Sequence, residues 1–298
     1  MLLRNKNISK HEAHPFHVVD SSPWPFLTSW TIFLLAISFL VWIGDFRCIP
    51  WYFFRYDLIW LFLFIVGQWF ANIVVESTYE GHHTRKVRAG LRLGMILFIA
   101  SEAMFFFSFF WSYFHFALSP SIFIGETWPP VGLEVVKPCL LPLVNTCILC
   151  ISGIYITCSH ELFSKHKIFN RWQIEFWLTQ TIFCGLLFLI IQREEYCEAV
   201  LRFNDGIYGS LFYILTGFHG LHVVIGVLFL IICLFRQRAR HFTARQHLGY
   251  EAAILYWHFV DLVWLFLFYV VYIWGVGVKV HSGISWPKAL EVFSCFLG

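Results

Sequence analysis

The chain has 298 residues, of which 59% are apolar, 20% aromatic and only 13% charged, with a formal net charge of +3. Globular domains average about 25% charged residues, so this composition excludes an ordinary soluble domain, and no nucleic-acid partner is expected. Cutting the sequence at its charges and Pro/Gly clusters leaves seven apolar segments, near 28–46, 57–75, 91–117, 139–159, 172–192, 207–235 and 252–276. Each approaches the ~20 residues that a bilayer-spanning helix needs. The segments are about twice the length of a barrel strand and lack sustained alternation, so an all-α polytopic membrane protein is predicted.

In chain order, the first twenty-five residues contain three His, two acids and several Pro, but no apolar core and no Arg/Ser-rich amphipathic pattern. No cleaved signal or transit peptide is expected, and the mature chain is expected to start near Met1. The arm and helices one and two form a first region, 1–75. A second region, 76–278, opens with the run from Glu76 to Arg85, which packs acids, imidazoles and bases beside the membrane interface. Cations there suit lipid phosphate and a carboxylate suits an ethanolamine ammonium; the alternative is a solvated loop that only sets topology. Between helices three and four, Leu118 to Pro138 is long and Pro-rich, and its Trp128-Pro129-Pro130 reads as a rigid surface crossing. Cys147 and Cys150 form a C-x-x-C inside an apolar helix with no second pair, so these cysteines read as small hydrophobes. The last segment, 279–298, is too interrupted to span, and its Trp286 and Phe293 suit a membrane surface or a partner.

Lys and Arg predict the orientation. Fourteen lie in the N-terminal arm and in the second, fourth and sixth loops, namely Arg4, Lys6, Lys10, Arg85, Lys86, Arg88, Arg92, Lys165, Lys167, Arg171, Arg236, Arg238, Arg240 and Arg245. Seven lie opposite: Arg47, Arg55, Lys137, Arg193, Arg202, Lys279 and Lys288. The positive-inside rule therefore puts the N-terminus on the cytoplasmic or matrix side and, with seven helices, the C-terminus on the other.

Polar residues inside the spans are few. They are Glu102 in helix three, His219 and His222 in helix six, and His258 with Asp261 in helix seven. No Lys lies deep in a span, which argues against a retinal Schiff base despite the seven helices. Haem ligated by two His needs rings on facing helices, whereas His219 and His222 share one helix face. Thr216 and Gly220 beside them form a small-x-x-x-small pair, so these imidazoles are expected to make interhelical hydrogen bonds. His258 and Asp261, three apart, are expected to touch across one turn and to act as helix glue, with no metal site. Glu102 shares its face with Phe98, Phe105, Phe106 and Phe109, and nothing within a turn can pair with it. Desolvation on that face favours the neutral acid. An isolated protonatable acid there suggests proton handling, or else an incidental lipid-facing group.

Several stretches, in order and over about residues 14–276, together resemble the subunit III family of the haem–copper oxidases. They include His14-Pro15-Phe16-His17, Ser22-Pro23-Trp24-Pro25, Glu76-Ser77-Thr78, Gly81-His82-His83-Thr84, Gly90 to Ile99 with Ser101-Glu102, and Trp128-Pro129-Pro130. Further on come Glu198-Ala199, Asp205-Gly206, Tyr208-Gly209-Ser210, Thr216 to Val223, and Tyr256 to Asp261.

The resemblance implies two N-terminal helices splayed from a bundle of five around a phospholipid-filled cleft. It implies a subunit with no catalytic residue or redox centre of its own, packed against subunit I, with subunit II, accessory subunits and supercomplex neighbours nearby. Haem and copper are expected in the partner subunits of a complex that oxidises cytochrome c, reduces dioxygen and translocates protons. Glu102 matches the family's intramembrane glutamate, associated with proton uptake and the stability of subunit I. Where relatives carry Arg before Glu-Ser-Thr this chain has Val75, and Ala71-Asn72 replace a charged pair. The expected headgroup ligands are therefore Trp69, Glu76, His82, His83, Arg92 and Arg236. The likeness and the Phe-rich composition point to the mitochondrial inner membrane, with a bacterial plasma membrane as the alternative. A quinol-oxidase counterpart of the same fold and a proton-coupled transporter using Glu102 are the other functions considered; the Phe wall argues against the transporter.

Overall fold

Where no water can satisfy the backbone, a long apolar run has the helix as its only local solution, and the seven predicted spans are all helices. The computed structural model describes residues 15–43, 51–164, 171–243 and 246–275. Its helices are α1 (Trp24–Ile43), α2 (Trp51–Thr78), α3 (Arg85–Leu118), α4 (Leu141–Ser164), α5 (Arg171–Glu198), α6 (Gly206–Arg238) and α7 (Leu248–Leu267), and α7 continues as a π-helix over Phe268–Trp274. All seven are long and apolar enough to cross a membrane, and no strand occurs among the described residues. The tail 279–298 and the cations Arg4, Lys6, Lys10, Arg47, Lys165, Lys167 and Arg245 lie outside the described residues.

Helix α3 has 34 residues, about 51 Å at 1.5 Å per residue. That exceeds the ~30 Å of hydrocarbon, which is why its first turns can carry Arg85, Lys86 and Arg88. Its start is fixed locally. Gly81 takes φ 72°, a left-handed conformation that glycine adopts without strain, and the His82 N–H then reaches the Glu76 carbonyl at 3.1 Å. Thr84 follows as the N-cap: its Oγ1 accepts the Val87 N–H at 3.4 Å and donates to the Pro15 carbonyl at 2.5 Å.

The chain divides into two compact units, Met1–Leu91 and Arg92–Gly298, with the boundary inside α3. In the first, α1 and α2 pack on each other, and the segment before α1 is tied to the α2–α3 turn by the Thr84 bond and by His17 stacked on His82 at 4.5 Å.

In the second unit α7 is the central element. Of its apolar window 61% is buried within the chain, against 28% for α4 and 11% for α3. Three of its aromatics, at a spacing of seven, donate to hydroxyls on α4: Tyr250 to Ser159 at 2.6 Å, Trp257 to Ser152 at 2.9 Å and Trp264 to Thr146 at 3.0 Å. Trp257 fills the centre because glycines make room for it. A Cβ at Gly185 would lie 2.6 Å from its ring and from Val227, and one at Gly226 would lie 2.9 Å from it.

One expectation is corrected here. The crossing after α3 is not wholly a surface loop, because Trp128 is completely buried. Its ring meets Tyr113 and Tyr208 edge-on, each at 5.3 Å, and its Nε1 reaches the Tyr113 hydroxyl at 3.4 Å. An indole in a Pro-rich run still seeks apolar cover and a partner for its N–H.

Candidate functional site

The aromatic face of α3 determines where Glu102 points. Phe105 meets Phe218 of α6 edge-on at 5.0 Å, Phe109 stacks on the same ring at 5.4 Å, and Phe106 packs against His222 at 4.9 Å. That seating brings Glu102 Oε2 to 2.9 Å from His222 Nε2. Glu102 is thus not partnerless, as its own helix had suggested. Its partner stands on α6, 120 positions away.

The proton inventory follows from geometry. His222 Nδ1 lies 2.7 Å from the Phe218 carbonyl, which can only accept, so Nδ1 carries a hydrogen. A hydrogen bond between Oε2 and Nε2 then needs one proton, carried either by the acid or by the imidazole. The Glu102 side chain is 24% exposed and that of His222 9%, so the acid is the accessible end. Tyr256 covers the imidazole, with ring centroids 6.4 Å apart and nearly parallel.

The other intramembrane candidates separate from this pair. His219 is fully buried, with Nε2 donating to the Val260 carbonyl at 3.2 Å and its ring packed on Trp264. Among the described residues no hydrogen bond joins His258 to Asp261, although His258 Nδ1 and Asp261 Oδ2 both lie near Gly153; the His258 Nε2 meets Thr157 Oγ1 at 3.4 Å on α4. The Thr157 hydroxyl already donates to the Gly153 carbonyl at 2.8 Å, so it accepts from the imidazole. Asp261 abuts Gly153, where a Cβ would come within 2.9 Å of its Oδ2, and its Oδ1 is buried without a hydrogen-bond partner.

The headgroup candidates fall in both units. Trp69, Glu76, His82 and His83 are half-buried in the first, where His82 Nε2 sits 3.4 Å from Glu80. Arg92 and Arg236 belong to the second. Arg92 bonds Glu251 at 2.5 Å, and the other oxygen of Glu251 meets His247 at 3.2 Å. The Arg236 guanidinium lies 4.4 Å over the Phe242 ring and against Gly249, and its Nε has no hydrogen-bond partner. Nearby, burial first and the charge of Arg236 second hold the His241 imidazole below its ordinary range. Sequence reasoning missed Glu251, His247 and the α7 ladder. The spacing of seven at Tyr250, Trp257 and Trp264 was the available signal for the last. Among the described residues no group of three or more His, Cys, Asp or Glu could hold a metal ion.

Seven apolar helices and an acid–imidazole pair between two of them define a polytopic α-helical membrane protein. The family model for cytochrome c oxidase subunit III matches residues 14–276. The chain is 46% identical over 265 residues to cytochrome c oxidase subunit 3 of Struthio camelus, covering 89% of this chain and 99% of that one. It is 45% identical over 276 residues to the Marchantia polymorpha protein of the same name (90% and 99%), and 44% over 272 residues to that of Mus musculus (89% and 99%). The chain belongs to the cytochrome c oxidase subunit III family, and so is a membrane subunit of an oxidoreductase complex that works with other oxidase subunits.

Proposed function

We propose that this chain supports, without catalysing, electron transfer from cytochrome c to dioxygen in the mitochondrial inner membrane, by bracing subunit I, binding phospholipid and assisting proton uptake. Haem and copper belong to the partner subunits. The bias of fourteen cations to seven favours an N-terminus on the matrix side.

The observation that carries the reading is the Glu102–His222 pair. The acid is the more exposed partner, so a proton shared between Oε2 and Nε2 can be exchanged from its side. Such a group stores and returns protons for a reaction performed elsewhere.

Glu102→Gln keeps a donor for His222 Nε2 but removes the exchangeable proton. The expected outcome is an assembled complex with an unchanged haem spectrum, and proton uptake or turnover lifetime reduced about two- to tenfold, or up to ~1.4 kcal/mol. An assembled complex with no electron transfer at all would mean instead that the chain holds part of the redox machinery.

The lipid role rests on Trp69, Glu76, His82, His83, Arg92 and Arg236 as headgroup ligands. Phospholipid should co-purify with the complex, and mass spectrometry should count fewer lipids in His83→Ala or Arg236→Gln. An unchanged count returns the α2–α3 turn to a purely topological role.

A further inference from the structure

Near the acid-rich end of the second unit, three side chains of α4 and α5 are sealed from solvent yet incompletely bonded. Asn145, Gln192 and Glu195 are 0%, 5% and 3% exposed. Asn145 Nδ2 donates to Gln192 Oε1 at 3.4 Å, and Glu195 Oε1 accepts the Tyr272 hydroxyl at 2.6 Å. Left over are Asn145 Oδ1, Gln192 Nε2 and Glu195 Oε2, each buried with no hydrogen-bond partner among the described residues. The neighbouring tyrosine hydroxyls are engaged elsewhere, Tyr196 donating to Thr216 and Tyr213 to the Leu201 carbonyl, both at 2.6 Å.

This cluster adjoins a cavity of about 190 Å³ between the segment preceding α4 and the last turn of α5. One water takes up about 30 Å³ of liquid, so several fit. Glu195 lines the cavity together with Glu134, Lys137 and Glu198, and Pro142 is part of its apolar wall. Gln192 lies about one turn inward from Glu195 on α5, and Asn145 about one turn inward from Pro142 on α4. Glu195 is therefore the link between the cavity and the cluster.

The three orphaned atoms define what they can hold. Two are acceptors, which disfavours an anion, and the third is an amide nitrogen with hydrogens to donate, which disfavours a cation. No group of three or more His, Cys, Asp or Glu among the described residues could hold a metal ion. Water matches all three atoms: it donates to Asn145 Oδ1 and Glu195 Oε2 and accepts from Gln192 Nε2. Three bonds is the number that a buried water typically makes. Since Tyr272 engages Oε1, Oε2 is the oxygen left to exchange a proton with that water.

We infer that Asn145, Gln192 and Glu195 bind ordered water continuous with the cavity, and that through it Glu195 exchanges protons with the acid-rich end while buried in the bundle. The site shares no residue with the Glu102–His222 pair and does not rest on it. The test is infrared spectroscopy of the purified oxidase complex at acidic pH, with the Glu195 band isolated by subtracting the spectrum of assembled Glu195→Gln. A protonated-carboxyl band should appear and should shift within minutes of transfer to D2O. Asn145→Leu, which removes one of the water's acceptors and fills its space, should slow that shift about tenfold, the effect on a rate of losing one good hydrogen bond. Glu102→Gln should leave the band and its exchange unchanged. A cryo-EM map of the wild-type complex, which needs no variant to assemble, should show water density at the three orphaned atoms. A dry cluster in that map, no Glu195 carboxyl band, a band unmoved after hours in D2O, or exchange in Asn145→Leu as fast as in wild type overturns the inference.

Discussion

At the scale of single residues, what distinguishes this protein is how often one side chain depends on the absence of another. Trp257 occupies the centre of the second unit only because Gly185 and Gly226 present no Cβ to it. Gly185→Ala places a methyl 2.6 Å from both Trp257 and Val227, and overpacking of this kind costs about 1–3 kcal/mol. Thermal unfolding of the detergent-solubilised complex should show the second unit weakened by that amount. Gly217→Ala, whose Cβ would meet nothing within 4 Å, should leave the midpoint in place. Equal effects at the two glycines would refute the packing account. Glu102 shows the limit of reading residues from sequence. Its aromatic surroundings were visible in Phe98, Phe105, Phe106 and Phe109, but its partner was not, because pairing with His222 depends on how α3 is rotated against α6. That rotation is set by Phe105 and Phe109 closing on Phe218, a contact no spacing within α3 encodes.

At the scale of elements, the seven spans were legible because hydrocarbon leaves an apolar run little choice. Their ends were less so. Helix five was expected to stop at 192, but α5 continues to Glu198, since Glu195 is not a solvated acid at a helix terminus but a buried acceptor for Tyr272. Polar residues read as the end of a span when they are in fact held inside the bundle. The ladder between α7 and α4 has the same origin. Ser152 looks innocuous in an apolar helix, yet it accepts the Trp257 N–H. Ser152→Ala should therefore destabilise the bundle by about 0.6–2 kcal/mol, the range spanned by interhelical bonds in membranes and by stranded buried donors. Combining it with Trp257→Phe, which removes the donor too, should cost less than the sum of the single changes. Strict additivity in thermal dissociation of the subunit would show that the two side chains do not couple.

At the scale of the whole molecule, the family was legible in motifs spread along the chain: the likeness over 14–276 agrees with the family model that matches those same residues. The distribution of Arg and Lys was equally open to inspection, since it needs no tertiary information. Less legible was the use of charge at each end. Arg92, expected to face a headgroup, also bonds Glu251, while Glu134, Lys137 and Glu198 at the other end look like ordinary loop charges until the cavity between them is seen.

The central position of α7 has a consequence for biogenesis. Synthesis runs from the N-terminus, at about 5–20 residues per second, so the most enclosed helix of the second unit is the last of the seven to leave the ribosome. Until Leu248–Leu267 has been inserted, the α4 hydroxyls lack their donors and the glycine slots on α5 and α6 stand open. The earlier spans can enter the bilayer, and α4, α5 and α6 can pack on one another. A chain interrupted before α7 would thus reach the membrane with Ser159, Ser152 and Thr146 lacking their aromatic donors and with the Trp257 slot unfilled.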